Sequence, residues 1–189
     1  MTVASPGRLL LAAREPMVTL AAATRCSVVL SSLYGDQILN VHLEAGSDTT
    51  VFSYGRGRTL PLFRGAASKV ILANLTPARL KSLYLLHSND EDVQAIGTNW
   101  ADFAEHFRHC RRQGVYLSHG EVDAGVTGLA VALLNTDGLV TGSLSLLFES
   151  HREGLFNTDL LTRLVQEAAG AMTRALAARS PAAEASVRT

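Results

Sequence analysis

Apolar residues recur with helical spacing at both ends of the chain. Residues 8–25 carry such a pattern, but Pro16 falls inside it. Because proline removes a backbone donor and clashes with the preceding turn, this stretch predicts two helical pieces. Residues 160–176 place apolar side chains at i, i+3, i+4 and i+7, and Asn157 stands where a helix cap is expected. The second pattern predicts one long amphipathic helix.

Shorter apolar runs between these ends have the character of β-strands. Residues 27–34 and 37–44 flank Gly35-Asp36, which predicts a tight hairpin. Apolar and polar residues alternate in the second run, and this indicates a sheet with one face in water. Residues 50–54 predict a third strand.

A second hairpin is predicted in the C-terminal half of the chain. Residues 127–134 and 139–148 are strand-like and flank a turn signal that ends in Asp137-Gly138. Residues 115–118 predict a short strand before this hairpin. Because hairpins dominate, the sheet is expected to be antiparallel.

Three helices are predicted between the two hairpins. Residues 65–74 are small and apolar, and Thr76-Pro77 is a helix-start signal. Asn99 caps a third helix, with Asp102 near its positive end. The order of elements predicts an α+β fold, in which helices pack on an antiparallel sheet. A sheet cupped by helices and loops suits a ligand pocket.

Composition narrows the class of protein. The 189 residues are enough for one domain with a core and too few for two. Hydrophobic residues make up 47% and charged residues 18%, which argues against disorder. The 17 basic residues balance 17 acidic ones, so duplex binding by this chain alone is not expected.

The placement of the two cysteines and the lengths of the apolar stretches indicate the cellular compartment. Cys26 and Cys110 lie far apart without metal-type spacing, which indicates a reducing environment. No apolar run is long enough to span a membrane, so we expect a cytoplasmic protein with no membrane partner. Residues 1–7 and 180–189 are expected to be linker or disordered, with one domain at 8–179.

Two sequence blocks resemble those of a known family. Residues 60–73 read LPLFRGAASKVILA, and residues 112–133 read RQGVYLSHGEVDAGVTGLAVAL. These blocks, followed by the strand-like residues 140–146, are similar to the effector-binding domain of IclR-type transcription regulators. The resemblance covers residues 8–178, essentially the whole chain.

The resemblance implies a GAF-like, profilin-like fold with a buried effector pocket and self-association into homodimers or homotetramers. It implies a ligand sensor in transcription regulation and not an enzyme, with no cofactor or metal. Family members normally carry an N-terminal winged helix–turn–helix, which has no counterpart in this sequence. We therefore expect contact with DNA only through a domain absent from this chain.

Two departures from the family pattern bear on the ligand. Ser68 stands where a glycine commonly precedes the lysine, and it is expected to bring a side chain into the pocket wall. Leu133 and Leu134 continue a strand that often contains proline in the family. Both departures affect the identity of the ligand more than the fold.

The predicted helix start at 64–68 is the principal candidate site. Its first N–H groups have no internal partners, and the helix dipole favours a carboxylate or phosphate there. Spacing alone favours simple close packing of this helix on the sheet, whereas the resemblance favours a ligand-binding wall. Inward-facing serines on an apolar strand would also need partners, which a polar ligand could supply.

The resemblance assigns eight ligand-binding positions, most of them small or apolar. They indicate a small organic acid as effector, with aromatic acids among the candidates. The eight residues are Gly65, Ala66, Ala67, Ser118, Val126, Gly128, Ser145 and Leu147.

Other functions remain open on the sequence. His106 and Cys110 stand four residues apart on one predicted helix and could share a metal, although neighbouring arginines favour a solvated basic face. A redox enzyme that uses Cys110 would require an exposed thiol with a low pKa. An oligomerisation module without ligand would fill the pocket with its own side chains.

Overall fold

The computed structural model describes residues 6–47, 53 and 55–178 of the chain, with side chains from residue 9 onward. In chain order the elements are α1 (Pro6–Thr24), β1 (Ser27–Tyr34), β2 (Gln37–Glu44), β3 (Thr59–Leu60), α2 (Ala66–Ala73), α3 (Pro77–His87), α4 (Glu91–Ile96), α5 (Trp100–Gln113), β4 (Tyr116–His119), β5 (Val126–Leu134), β6 (Val140–Glu149), a 3₁₀ helix (Ser150–Leu155) and α6 (Thr158–Ala178).

The strands form one antiparallel sheet in the order β3-β2-β1-β6-β5-β4. Each predicted hairpin pairs strands that are neighbours in sequence, β1 with β2 and β5 with β6. The hairpins meet where β1 pairs with β6, with Val29 opposite Ser145 and Ser31 opposite Ser143. The expected α+β fold with an antiparallel sheet is confirmed.

Helices cover both faces of the sheet. On one face, called the α1/α6 face, α1 and α6 pack over large apolar side chains such as Leu30 and Leu146. On the other, called the α2 face, α2 packs directly on the sheet, and α5 with its Phe103 packs against α2. Because helices cover both faces, and every residue of β2 after Gln37 is buried or half-buried, the expected water-facing side of the sheet is wrong.

Asn40, one of the polar residues of β2 that suggested a wet face, is hydrogen-bonded inside the protein. The hydroxyl of Ser31 donates to Oδ1 of Asn40 at 2.8 Å, across the β1–β2 pair. These side chains are 0% and 5% exposed. At Asn40 the alternation therefore marks a buried polar contact, whereas His42 and Glu44 near the end of β2 stay partly exposed.

α1 runs without a break through Pro16, so the predicted two-piece helix is wrong. Proline removes one helical hydrogen bond, at a cost of about 3 kcal/mol. Leu9, Ala13 and Met17 lie on the buried side of α1 at 0–1% exposure. Since each large buried side chain contributes about 1.5–3 kcal/mol, packing on the sheet and α6 outweighs the lost bond.

The local helix signals are confirmed. Side-chain oxygens of Thr76, Asn99 and Asn157 each accept a hydrogen bond from the backbone N–H three residues later, at 3.3, 3.1 and 3.0 Å. α5 ends at Gly114, which adopts a left-handed conformation with φ of 69°. Such caps depend on neighbouring residues alone, which is why the sequence predicts them well.

Three short elements were not predicted: α4, β3 and the 3₁₀ helix Ser150–Leu155. α4 occupies an acidic stretch that reads as a solvated loop, and it is held by Val93, which is 0% exposed. β3 is two residues long and exists only through its pairing with Ile38 and Leu39. The strand predicted at 50–54 lies outside the described residues, apart from Ser53.

Candidate functional site

A cavity of about 70 Å³ lies between the start of α2 and the α2 face of the sheet. All eight residues predicted to bind ligand line it: Gly65, Ala66, Ala67, Ser118, Val126, Gly128, Ser145 and Leu147. The structure adds Arg64, from the predicted helix start, and seven lining residues that the sequence did not single out: Val29, Ser31, Asn40, Leu60, Glu121, Val122 and Asp123. The cavity is thus walled by the sheet, by the α2 start and by the loop between β4 and β5.

Gly65 precedes α2 in a conformation that favours glycine, with φ of 83°. A Cβ atom at this position would lie 2.6 Å from Cγ2 of Val122. Glycine is therefore needed both for the turn and for the close approach of the β4–β5 loop. At this residue the space is taken by Val122, so the backbone is less open to a ligand than expected.

Two backbone donors at the α2 start are already bonded within the protein. The N–H of Gly65 donates to Oε2 of Glu121 at 2.8 Å. The N–H of Ala66 donates to Oγ of Ser118 at 3.2 Å. An internal carboxylate thus occupies part of the place predicted for an acid ligand.

The next two donors remain available. Across the described residues, the backbone N–H groups of Ala67 and Ser68 have no acceptor within hydrogen-bond distance. Both belong to the first turn of α2, where the helix dipole favours negative charge. Of the two residues, Ala67 lines the cavity.

Ser68 does not bring its side chain into the pocket wall, contrary to expectation. Its Oγ donates to the carbonyl of Pro61 at 2.7 Å, and the residue is 0% exposed. The hydroxyl ties the helix to the segment before it, because a serine in the first turn can reach a nearby backbone carbonyl.

Behind the cavity wall, a buried cluster holds the carboxylate of Glu121. Nζ of Lys69 lies 2.8 Å from Oε2 of Glu121 and donates to the hydroxyl of Tyr116 at 3.0 Å. The Tyr116 hydroxyl donates to Oε1 of the same carboxylate at 3.3 Å. The charge of Glu121 is therefore balanced within the protein.

Lys69 is 8% exposed, and burial alone lowers its pKa. The hydrogen bonds to Glu121 and Tyr116 outweigh burial and raise the pKa of Lys69 above its usual value. Glu121 belongs to the second sequence block, but nothing in its spacing indicated that it would meet the helix start. Only the fold of the β4–β5 loop brings it there.

Ser145 presents an unpaired polar group to the cavity. It is 2% exposed, and among the described residues its Oγ has no hydrogen-bond partner. Leaving a buried hydroxyl unpaired costs about 1–3 kcal/mol. Ser143 on the same strand is 0% exposed and also lacks a partner in the described part of the chain, but it does not line the cavity.

Gly128 keeps the cavity open between Ser118 and Leu147, its neighbours on β4 and β6. A Cβ atom at Gly128 would lie 3.0 Å from Oγ of Ser118 and 3.3 Å from Cδ2 of Leu147. The hydroxyl of Ser118 also donates to the carbonyl of Gly128 at 3.5 Å. Ser118 thus orients the α2 start, and its hydrogen bonds are used within the protein.

The alternative sites on α5 are not supported. Cys110 is 3% exposed, and burial raises the pKa of its thiol to about 11. Burial and the charge of Lys69 lower the pKa of His106. Among the described residues, no three His, Cys, Asp or Glu side chains are placed to hold a metal ion. The predicted solvated face holds for His109 and the arginines, but Cys110 points into the core.

None of the described helices is long and apolar enough to cross a membrane.

Solved structures of transcription regulators share this fold. The chain is similar to transcriptional regulator YaiJ at 21% identity and a TM-score of 0.78, over 89% of this chain and 94% of that one. It is similar to IclR of Thermotoga maritima at 18% identity and a TM-score of 0.78, over 89% of this chain and 68% of that one.

A third similar structure is an IclR homolog of Microbacterium hydrocarbonoxydans complexed with 4-hydroxybenzoate. It is 19% identical, with a TM-score of 0.74, over 93% of this chain and 70% of that one. At these identities the structures establish the fold. No curated protein matches the sequence.

The family model described as the C-terminal domain of the bacterial transcriptional regulator IclR matches residues 1–174. The match spans the sheet, the α2 start and most of α6. The resemblance carried by residues 60–73 and 112–133 is thus confirmed, and the chain belongs to the family of IclR C-terminal regulatory domains.

Proposed function

We propose that this domain senses a small organic acid, with aromatic acids among the candidates, and that the acid binds in the cavity at the α2 start. Ser145 carries the proposal, because its buried hydroxyl lines the cavity and has no partner among the described residues. A carboxylate or hydroxyl of the ligand would supply the missing hydrogen bond and recover part of its cost.

The rest of the cavity suits a small molecule with one polar end. Val29, Val126 and Leu147 provide an apolar wall, and Ala67 offers a free backbone donor at the positive end of α2. The cavity volume of about 70 Å³ favours short aliphatic acids, and a single-ring acid would have to widen the cavity, since a cavity that holds benzene measures about 150 Å³. The Microbacterium homolog is complexed with 4-hydroxybenzoate, which is why aromatic acids stay among the candidates.

Signalling would run through self-association as a homodimer or homotetramer. Leu11 and Val18 on α1 are 64% and 47% exposed, and Leu160 on α6 is 45% exposed, which leaves apolar surface for a second copy. In an intact regulator a winged helix–turn–helix would contact the DNA. The ligand must bind two arrangements of the subunits with different affinity for this coupling to work.

Thermal unfolding in the presence of acids tests the proposal. We expect 4-hydroxybenzoate, benzoate or a short aliphatic acid to raise Tm, since a ligand at a hundred times its Kd stabilises by about 2.7 kcal/mol. Ser145→Leu fills the cavity and is expected to abolish that rise.

Ser143→Ala is the matched control. It alters a buried, unpartnered serine on the same strand that lies outside the cavity, and it should keep the full ligand-induced rise. The proposal fails if no acid raises Tm, or if Ser145→Leu responds like the unaltered protein.

The structure does not favour the two competing functions, an oligomerisation module without ligand and a redox enzyme that uses Cys110. A module that fills its own pocket would leave no cavity beside Ser145, whereas the cavity is present. A redox enzyme would need a reactive thiol, whereas Cys110 is buried with a raised pKa. Slow alkylation of the folded protein at neutral pH would agree with an unreactive thiol.

A further inference from the structure

We propose that the cavity admits ligands with at most one negative charge, and that Asp123 sets this limit. This inference rests on the proposed function and deepens it, because it specifies which acids the sensor takes. It follows from the charges that line the cavity and from which of them are already paired.

Residues Glu121–Asp123, here called the acidic strap, form one wall of the cavity. The strap lies between Gly120 and Gly125, whose φ angles of 64° and 77° let the chain turn sharply on each side. Glu121 bonds the α2 start, and Val122 packs against Gly65. The strap is thus fixed against Gly65 at the α2 start, and it lines the same cavity as Ala67 and Ser145.

Among the residues that the structure describes, three charged ones line the cavity, and two of them are neutralised. Nε of Arg64 lies 3.1 Å from Oδ2 of Asp92. Glu121 lies 2.8 Å from Nζ of the buried Lys69. Neither the cation of Arg64 nor the anion of Glu121 is therefore left without a countercharge.

Asp123 has no such countercharge. Its Oδ2 accepts a hydrogen bond from the backbone N–H of Ser53 at 3.1 Å, which is a neutral donor. Within the described ranges, no Lys, Arg or His lies within ion-pair distance of its carboxylate. The lining consequently holds one surplus negative charge.

A single ligand carboxylate has a place to bind in spite of this charge. The N–H of Ala67 and the hydroxyl of Ser145 are free among the described residues, and the helix dipole favours an anion at the α2 start. A second carboxylate would find no free cation in the described part of the lining and would be repelled by Asp123. Monocarboxylates therefore fit the cavity, and dicarboxylates and phosphates do not.

Matched ligand pairs test this rule by calorimetric titration of the whole chain. In each pair an acetyl group replaces one carboxylate with little change of shape: 4-acetylbenzoate against terephthalate, and 4-oxopentanoate against succinate. 4-Hydroxybenzoate is titrated alongside them. We expect the singly charged member of a pair to bind at least about tenfold more tightly than the doubly charged one.

Asp123→Asn removes the charge and keeps an oxygen that can accept from Ser53. The variant should bind each singly charged acid about three- to tenfold more tightly than the unaltered protein does, and the gain in affinity for the doubly charged partner should be larger. Both gains should shrink at high salt, because salt screens the charge of Asp123. Asp137→Asn is the matched control, because it removes the same charge from an exposed turn outside the cavity and should change no affinity.

The outcomes separate this inference from the proposed function. If no acid in the panel binds, the proposed sensor function fails and this inference fails with it. If acids bind but dicarboxylates bind as tightly as their acetyl partners, or Asp123→Asn leaves affinity unchanged, only the charge limit is overturned.

Discussion

The two faces of the sheet carry different kinds of side chain, although the same strands form both faces. β5 and β6 place large apolar residues on the α1/α6 face and small or polar residues on the α2 face, because successive side chains of a strand point to opposite sides. The first set is Leu129, Val131, Leu133, Leu144, Leu146 and Phe148, all 3% exposed or less. The second set is Gly128, Ala130, Ala132, Ser143 and Ser145, and Leu147 is the one large apolar residue that points the same way.

This difference shows how one domain can combine stability with a hollow site. On the α1/α6 face, large side chains pack against two long helices in a continuous hydrophobic core. On the α2 face, small residues let a short helix approach the sheet, and its start leaves a cavity beside the unpaired hydroxyl of Ser145. The α2 side also holds buried titratable groups with raised pKa values, among them Lys69 and Cys110.

Neighbouring leucines on β6 give the largest expected contrast. Leu146→Ala opens a cavity in the α1/α6 core, where Leu146 is 0% exposed, and should lower the free energy of unfolding by about 3 kcal/mol. Leu147→Ala only widens an existing cavity and should cost about 1 kcal/mol or less. Urea unfolding of both variants measures the difference, and equal losses would mean that the two faces are equally packed.

Alkaline pH should lower the free energy of unfolding, because titratable groups are buried on the α2 side. Because burial raises the pKa of the Cys110 thiol from 9.0 to about 11, the folded state holds this proton more tightly than the unfolded state. This proton's contribution to the free energy of unfolding is fully present below pH 9. The free energy of unfolding should fall by about 2 kcal/mol as the pH rises to 11.

Urea unfolding between pH 7 and 11 checks the alkaline loss, with Cys110→Ala as the comparison. The variant should lose less stability than the unaltered protein over this range. It should still lose some, because the pKa values of Lys69 and Tyr116 are also raised in the folded state. Parallel curves for the two proteins would show that the Cys110 thiol is not responsible.

The smallest effect is expected at Ser145 without ligand. Ser145→Ala removes a hydroxyl that has no partner among the described residues, so the free energy of unfolding should change by no more than about 0.5 kcal/mol, or rise slightly. Chemical denaturation of the ligand-free protein measures this change. A loss above about 1 kcal/mol would indicate that the hydroxyl is already bonded in solution.

The sequence predicted most of the elements but little of the site's chemistry. Caps at Thr76, Asn99 and Asn157 and the two hairpins follow from residues that are adjacent in the chain. The eight lining residues came from resemblance to a family, since spacing alone favoured close packing of α2. Neither spacing nor resemblance indicated that Glu121 would occupy a helix donor or that Asp123 would be left unpaired.

By itself, the sequence determined the α+β class, the ends of the main helices and the pairing within each hairpin, because these depend on short-range geometry and periodicity. Only the tertiary structure decided that α1 continues through Pro16, that polar residues of β1 and β2 bond each other in the interior, and that the acidic strap closes over the α2 start. Each of these outcomes depends on which distant side chains share a buried space, where packing and charge pairing outweigh local preference.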